Sequence, residues 1–257
     1  MEAVILCGGR GTRLHEETVV RPKPMVTVGD HPILWHIMSH YRAYGLRDFV
    51  LCLGYMGDVI RDYFVNYHQN NADIEVDLSS GDIEVLSRKA IDWRVRLVDT
   101  GLNAYTGARI RRIARHIRSD RFFATYGDGL SDIDLDKLLR FHREQGKLVT
   151  VTAVRPPSRF GELLIEGAVV RSFVEKPQTS EGWINGGFLV IEKAALDYFS
   201  DEEDLSLEGT VLETMAASGH LAVYKHEGFW QCMDTYREMQ HLNELWASGN
   251  VPWVKKK

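Results

Sequence analysis

The first 25 residues constrain what this chain can fold into more than any other segment does. An apolar run, Ala3 to Leu6, has the character of a buried strand and ends abruptly in GGRGTR, residues 8–13. Glycines directly after a first strand let the backbone approach a ligand closely, because no Cβ stands in the way. Their N–H groups can then converge on phosphate oxygens.

Two cations accompany these glycines. Arg13 and Lys23 add fixed positive charge, and a proline on each side of Lys23 stiffens its backbone. The glycines alone would fit an ordinary strand-to-loop turn with solvated charges, but together with both cations they favour a polyphosphate site. The loop is not a Walker loop, because Gly11 is followed by Thr-Arg. It is not the dinucleotide fingerprint either, because Leu14 stands where a third glycine is needed.

Composition narrows the class of protein. The chain has 257 residues, 44% of them hydrophobic, which suffices for a substantial core in one or two domains. A net charge of −5 argues against a general nucleic-acid binder. Three widely spaced cysteines are expected as free thiols in a reducing compartment. Since no signal-peptide or membrane-spanning run is found, we expect a cytoplasmic protein with no membrane partner.

Strand-like runs alternate with helical periodicity along the chain. A β-α-β alternation of this kind predicts an α/β fold with a mostly parallel sheet covered on both faces. The polar segment 73–87 is expected to lie outside the core. Expected strands are 49–53, 95–98, 122–126 and 148–154, and expected helices are 59–67, 109–117, 135–145 and one from near Pro32 that Asp30 caps and Gly45 stops.

Two aspartates are candidate metal ligands. Asp128 follows a predicted strand, and ligands of parallel α/β sheets bind outside the carboxyl ends of their strands. Asp234 lies where a strand-like segment meets the last helix. Mg²⁺ prefers one or two carboxylates, with phosphate and water completing its shell. From local sequence alone, an Asp-Gly turn is the commoner reading of Asp128, and a helix N-cap is an equal reading of Asp234. Asp132 is expected at a helix entry.

The motifs resemble, in order, those of the sugar-1-phosphate nucleotidylyltransferase family, whose signature is G-G-x-G-T-R-L followed by P-K-P. Glu16-Glu17-Thr18 before the P-K-P motif is similar to the glucose-1-phosphate cytidylyltransferases of that family. The resemblance covers nearly the whole chain. It implies a three-layer α/β/α Rossmann-like nucleotidyltransferase fold with a mostly parallel mixed sheet. It also implies a single domain, 1–257, with a nucleotide half of about 1–130 and a sugar half of about 131–257.

By this resemblance, Arg13 and Lys23 are catalytic and bind phosphates around the reacting centre, while Asp128 and Asp234 hold Mg²⁺. Cys7 stands where alanine is usual, and we expect no loss of function from it. The segment 99–109 is similar to the cytidylyltransferase pattern for the base. The implied nucleotide-binding residues are Leu6, Cys7, Gly8, Gly9, Arg10, Gly11, Thr12, Arg13, Lys23, Ala104, Thr106, Gly107, Gly127 and Asp128.

The sugar end matches in the same way. In the family's E-K-P motif, here Glu175-Lys176-Pro177, the lysine contacts the sugar phosphate and the glutamate contacts sugar hydroxyls. Taken alone, this stretch would read as an exposed turn. Asn185 and Gly186 match the glycine-containing strand on which the hexose lies, and Gly161 matches the loop that closes over the sugar.

The resemblance implies an enzyme that condenses CTP with α-D-glucose 1-phosphate and releases pyrophosphate and CDP-glucose, for deoxysugar or surface polysaccharide biosynthesis. It also implies a homo-oligomer, a hexamer. UTP or another hexose 1-phosphate stays open, as do a metal-dependent glycosyltransferase and a non-catalytic nucleotide-sugar sensor. His36 and His40 lie four residues apart without the glutamate of a His-Glu-x-x-His site, so we expect a structural role for both.

Overall fold

A seven-stranded sheet forms the centre of the described part of the chain. The computed structural model describes residues 1–87, 91–156, 162–166, 169–174 and 182–255, with backbone only for 162–166 and 169–174. Its strands are β1 Glu2–Leu6, β2 Thr27–Val28, β3 His31–Pro32, β4 Asp48–Leu53, β5 Ile74–Val76, β6 Ile83–Val85, β7 Arg94–Asp99, β8 Arg121–Tyr126, β9 Gly129–Ser131, β10 Val149–Val154, β11 Glu162–Glu166, β12 Val169–Val174, β13 Ile184–Glu192, β14 Leu221–His226 and β15 Trp230–Cys232.

Helices cover both faces of that sheet. Short 3₁₀ segments at Thr12–Leu14, Lys23–Met25, Ala114–His116 and Lys193–Tyr198 and a π-helix at Leu207–Leu212 complete the described elements. The α-helices are α1 His15–Thr18, α2 Ile33–Arg42, α3 Gly57–Val65, α4 Tyr67–Asn70, α5 Thr106–Arg112, α6 Leu135–Gln145, α7 Glu213–Ala217 and α8 Tyr236–Ala247.

The strand order in the seven-stranded sheet is β14-β10-β13-β8-β1-β4-β7. Within this sheet all pairings are parallel except those of β13, which runs antiparallel to both β8 and β10. Strands from the two predicted halves of the chain therefore share one sheet, and the mixed, mostly parallel sheet predicted from the sequence is confirmed. The single-domain organisation stays a prediction.

Strand β1 shows why the sheet is the middle of three layers. Ala3 and Ile5 pack into one hydrophobic cluster, with α2 and α8. Val4 and Leu6, which alternate with them along the strand, pack into a second cluster on the other face, with α5. Because successive side chains of a strand point to opposite faces, an uninterrupted apolar run marks a strand buried on both sides.

Most element boundaries follow local chemistry. Helix α6 has the predicted bounds because the Asp134 side chain accepts a hydrogen bond from the Lys137 N–H at its start, and Gly146 ends it with φ of 58°. Asp132, expected at this helix entry, lies two residues before the cap Asp134, and its carboxylate pairs with His226. The predicted cap at Asp30 was wrong: Pro32 is the residue before α2, and no side chain caps that helix.

Other boundaries differ from expectation by a few residues. Helix α3 begins two residues before the predicted 59 and ends at Val65, and α5 begins three residues before the predicted 109 and ends at Arg112. The polar segment 73–87 forms the exposed hairpin β5–β6, outside the core as predicted. The antiparallel hairpin β11–β12 was not foreseen. Of the helices in the described ranges, none combines the length and apolar character needed to cross a membrane.

His36 is structural, as expected, and is 1% exposed. Trp253 Nε1 donates to its Nδ1 at 3.3 Å, so Nε2 carries the proton and donates to the Val28 carbonyl at 2.8 Å. Burial lowers the pKa of His36 to about 4. A second ring proton would have to sit on Nδ1, facing the indole N–H, so the fold holds this imidazole neutral.

We predict that the free energy of unfolding decreases as the pH falls from 6.5 towards 4. In that window the unfolded chain takes up a proton at His36 and the folded chain does not. The decrease from this group is about 2 kcal/mol between pH 8 and pH 5. Urea unfolding of wild type and His36→Gln checks it, because Gln keeps a donor for Val28 and does not titrate. Identical pH dependence of the two proteins would contradict the assignment.

Candidate active site

A cleft of about 430 Å³ opens at the carboxyl ends of β1 and β8. Most of the predicted nucleotide-binding residues lie on its walls, joined by Pro24, Tyr105, Arg109, Tyr126, Ser206 and Glu208. Two predicted residues are not among its wall residues, Arg10 and Gly107. The predicted residues that line it are Leu6, Cys7, Gly8, Gly9, Gly11, Thr12, Arg13, Lys23, Ala104, Thr106, Gly127 and Asp128.

A cluster of four charges lies at the edge of this cleft. Lys23 Nζ donates to Asp128 Oδ2 at 2.7 Å and also to Asp234 Oδ1. Arg13 Nη1 lies 2.5 Å from Asp234 Oδ2. The Lys23 side chain is only 8% exposed, whereas that of Arg13 is 71% exposed. Burial lowers the pKa of Lys23, but the two carboxylates outweigh this effect and the net pKa is raised. Lys23 is therefore a fixed cation.

The pairing of β9 with β15 brings the two aspartates together. Cys232 lies opposite Gly129, and the Met233 N–H donates to the Asp128 carbonyl at 2.9 Å. Helix α8 is capped not by Asp234 but by Thr235, which forms a capping box with Glu238. The N-cap reading of Asp234 is thus excluded, and its carboxylate is free to meet the cations.

The same two carboxylates are the metal-ligand candidates. Within the described ranges, no group of three or more His, Cys, Asp or Glu side chains could hold a metal ion. Two carboxylates are nevertheless what Mg²⁺ commonly takes from a protein when substrate phosphates and water supply the rest of its shell. The Lys23 ammonium also shows that the point between Asp128 and Asp234 accepts a cation. The donor set therefore fits Mg²⁺.

Glycine is required at two positions of the N-terminal loop. Gly11 has φ of 62°, and a Cβ there would lie 2.8 Å from Thr18 Cγ2. At Gly8, a Cβ would lie 2.1 Å from Nη1 of Arg109. Gly11 makes the left-handed turn, and Gly8 lets the loop lie against the buried guanidinium of Arg109.

Arg109 is a residue whose role the sequence analysis missed. It is 4% exposed and ties the glycine loop to two neighbouring strand ends. Its Nη1 donates to the Leu53 carbonyl, to Thr100 Oγ1 and to the Gly101 carbonyl at 2.8–3.0 Å. Its Nη2 donates to the Gly8 carbonyl at 3.0 Å and to the Leu102 carbonyl at 3.3 Å. No motif signals this role, because the acceptors are mostly main-chain oxygens distant in sequence.

The predicted base-binding residues begin helix α5. Ala104 is 5% exposed and lines the cleft. Thr106 Oγ1 accepts from the Leu207 N–H at 2.9 Å and donates to Glu208 Oε2 at 2.7 Å. Gly107 faces away from the cleft, where a Cβ would lie 2.8 Å from the Leu205 carbonyl oxygen. Arg10, also predicted to bind nucleotide, donates from Nη2 to Asn103 Oδ1 at 3.3 Å.

The sugar end is described only in part. Gly161, Glu175 and Lys176 lie outside the described residues. Asn185 Nδ2 donates to the Tyr126 hydroxyl at 3.3 Å, and its Oδ1 accepts from the Gly187 N–H at 2.9 Å. The Gly186 carbonyl accepts from Trp230 Nε1 at 2.8 Å. Asn185 and Gly186 therefore lie beside the end of β8, next to the nucleotide-side wall.

The fold and this cleft define the class of protein. A mixed α/β sheet that carries a glycine loop, two cations and two carboxylates at its carboxyl edge is a scaffold for nucleotide and phosphate chemistry. Asn185 joins this cleft through the hydrogen bond from its Nδ2 to the Tyr126 hydroxyl.

The chain belongs to the Nucleotidyl transferase family, whose model matches residues 2–239. It is 46% identical over 254 residues to the glucose-1-phosphate cytidylyltransferase of Salmonella typhi, with 98% of each chain covered. It is 40% identical over 253 residues to a probable glucose-1-phosphate cytidylyltransferase of Bacillus subtilis (strain 168), covering 98% of this chain and 99% of the relative. The family predicted from the motifs is confirmed.

A solved structure supports the fold. The structure of HddC from Yersinia pseudotuberculosis, complexed with GMP-PN, aligns with a TM-score of 0.71 over 95% of this chain and 99% of that chain. The sequence identity is 22%, so the likeness concerns the fold alone. The Rossmann-like nucleotidyltransferase fold predicted from the sequence is confirmed.

We predict that Arg109→Lys lowers the free energy of unfolding by about 3 kcal/mol, because one ammonium cannot replace a two-pronged guanidinium and buried carbonyls lose their donors. Urea unfolding measures the loss. The matched control is Arg111→Lys on the same helix, whose Nε pairs at 2.8 Å with the exposed Asp201. Equal small effects of the two substitutions would contradict the role given to Arg109.

Proposed function

We propose that this protein condenses CTP with α-D-glucose 1-phosphate and releases pyrophosphate and CDP-glucose. The observation that carries the proposal is sequence identity to two relatives named for this activity. Over 98% of its length, this chain is 46% identical to one of them and 40% identical to the other. The cleft supports it, since the glycine loop, Arg13, Lys23 and Asp128 lie on one surface and Asp234 is paired to two of them.

The reaction needs no covalent protein nucleophile, because a sugar phosphate oxygen attacks the α-phosphorus in line and pyrophosphate leaves. The cysteines near the cleft are unsuited to that role. Burial raises the pKa of the Cys7 thiol well above its usual value, and burial together with nearby carboxylates raises that of Cys232 to about 12. Rate enhancement then rests on positioning and on fixed charges aimed at the phosphates.

Arg13 and Lys23 supply the fixed charges. Lys23 is buried with a raised pKa and stays protonated, while Arg13 reaches into solvent and is available to the leaving pyrophosphate. Asp128 and Asp234 would hold Mg²⁺, which, when bound, offsets negative charge on the triphosphate. Backbone N–H groups at Gly8, Gly9 and their neighbours would add further donors to the phosphates.

The other assignments rest on the family resemblance. Ala104 and Thr106, which line the cleft, would meet the cytosine ring, whereas Gly107 faces Leu205 and would act only by letting α5 pack closely there. Lys176 would bind the sugar phosphate, and Glu175, Asn185, Gly186 and Gly161 would meet the hexose. A homo-oligomer, a hexamer, and a cytoplasmic location are proposed on the same resemblance and on the composition.

Pyrophosphate release tests the function. Wild-type protein is incubated with Mg²⁺, glucose 1-phosphate and each of CTP, UTP, GTP and dTTP, with galactose and mannose 1-phosphates as alternative acceptors. We expect the highest kcat/KM with CTP and glucose 1-phosphate, and loss of most turnover in Asp128→Asn and Asp234→Asn. The exposed Asp201→Asn serves as control. Release of pyrophosphate only with another nucleotide, or full activity in either variant, would contradict the proposal.

We also predict that Arg13→Ala lowers kcat about 10²- to 10³-fold while CTP keeps much of its affinity. A guanidinium at the leaving pyrophosphate interacts more strongly as charge accumulates there in the transition state. Steady-state kinetics with varied CTP measures the split, and Arg94→Ala, an exposed arginine paired with Asp48, is the control. A raised KM for CTP with kcat unchanged would make Arg13 a docking residue only.

A further inference from the structure

Glu208 is a cleft residue to which neither the sequence motifs nor the proposed chemistry assigns a role. It lines the cleft with both carboxylate oxygens engaged by hydroxyl groups. Oε2 accepts from Thr106 Oγ1 at 2.7 Å and from Ser206 Oγ at 3.1 Å, and Oε1 accepts from the Tyr126 hydroxyl. A carboxylate repels phosphates, so its place in a cleft for two phosphorylated substrates calls for another role. Its contacts show that it gathers hydroxyl donors from separate elements.

One side of Glu208 is fixed to the start of α5. The Tyr105 N–H donates to the Glu203 carbonyl at 2.9 Å, and the Ala108 N–H donates to the Leu205 carbonyl at 3.1 Å. These bonds join the base-side helix to the segment that carries Glu208. Glu208 itself lies in the first turn of the π-helix Leu207–Leu212, and π-helical turns are frequent at functional sites.

The other side of Glu208 reaches the predicted sugar wall, which among the described residues consists of Asn185 and Gly186. Tyr126 ends β8, two residues before Asp128, and its hydroxyl donates to Glu208 while accepting from Asn185 Nδ2. Its ring lies against Gly187, where a Cβ would come within 2.3 Å of Tyr126 Cδ2, so the ring position is fixed by the strand beside it.

We propose that Glu208 is a positioning residue, the centre of a hydrogen-bonded strut Thr106–Glu208–Tyr126–Asn185 that sets the distance between the nucleotide wall and the sugar wall. The inference rests on the proposed function, because the strut matters only if two substrates must meet across this cleft. In-line transfer requires the attacking oxygen close to phosphorus and aligned with the leaving group. A misplacement of about 1 Å can cost about 10²-fold in rate.

The strut predicts a specific kinetic signature. CTP would contact the nucleotide wall and glucose 1-phosphate the sugar wall, so each should keep its affinity when the strut is broken. The position of the attacking oxygen relative to the α-phosphorus should become less exact. We expect Glu208→Gln to lower kcat about 10- to 100-fold, with KM for CTP and for glucose 1-phosphate each within about threefold of wild type. Glutamine keeps the size of the side chain, but its amide nitrogen cannot accept a hydrogen bond from a hydroxyl group.

Steady-state kinetics of four proteins with both substrates varied gives the test: wild type, Glu208→Gln, Tyr126→Phe and the double variant. Because both substitutions break the same strut, Tyr126→Phe should show the same split, and the double variant should be no slower than about threefold below the slower single variant. Glu213→Gln, an exposed glutamate in the following helix, is the matched control and should behave as wild type.

Several outcomes would overturn the strut. Wild-type kcat in Glu208→Gln would do so, as would an unchanged kcat with a raised KM for one substrate, which is the signature of a direct contact. Multiplying losses in the double variant would mean that the two residues act independently. If Glu208→Gln does not fold, Tyr126→Phe decides by the same kinetic split. An inactive wild type would refute the proposed function itself, whereas an active wild type with an unaffected Glu208→Gln would refute only the strut.

Discussion

The contact of one ammonium group with two carboxylates organises the active-site side of this protein. Lys23 comes from the N-terminal loop, Asp128 from the turn after β8, and Asp234 from the position just before Thr235, the cap of α8. A buried charge is costly unless it is paired, and removal of one partner leaves the others uncompensated. The loop, the β9–β15 pairing and the capping box of Thr235 therefore all serve one arrangement, in which three distant segments meet at a point.

Around that point the glycine loop forms part of the cleft wall. The glycine loop presents N–H groups, and its carbonyl at Gly8 is held from behind by Arg109. Because the Arg109 guanidinium donates to backbone oxygens and to the Thr100 hydroxyl, it fixes the shape of the cleft wall beside the glycine loop. Arg13, whose side chain is largely exposed, keeps part of its charge available to a ligand. Arg109 thus shapes the site, whereas Arg13 is the arginine to which we assign a direct role in the proposed reaction.

The sequence predicts those features that depend on neighbouring residues. Helix α6 could be predicted residue by residue because an aspartate begins it and a glycine ends it. The position of Asp128 followed from the strand before it. For Asp234, the pattern Thr235-x-x-Glu238 is a readable capping box and would have excluded the N-cap reading from sequence alone.

Features that depend on distant contacts could not be predicted in this way. The acceptors of Arg109 lie at residues 8, 53 and 100–102, and nothing in the local pattern of α5 indicates them. Glu208 carries no motif, since its partners Thr106 and Tyr126 lie about 100 and 80 residues earlier in the chain. The ammonium between the two aspartates is likewise a tertiary contact, although each of its three residues was singled out from its own motif.

Anomalous diffraction from crystals grown with CTP and Mn²⁺, in place of Mg²⁺, tests the central claim most directly. The claim is that Asp128 and Asp234 form one cation site shared with the triphosphate. The account predicts a manganese peak within direct coordination distance of both carboxylates and of phosphate oxygens. A metal bound by the triphosphate alone, with Lys23 still joining the two aspartates, would contradict it.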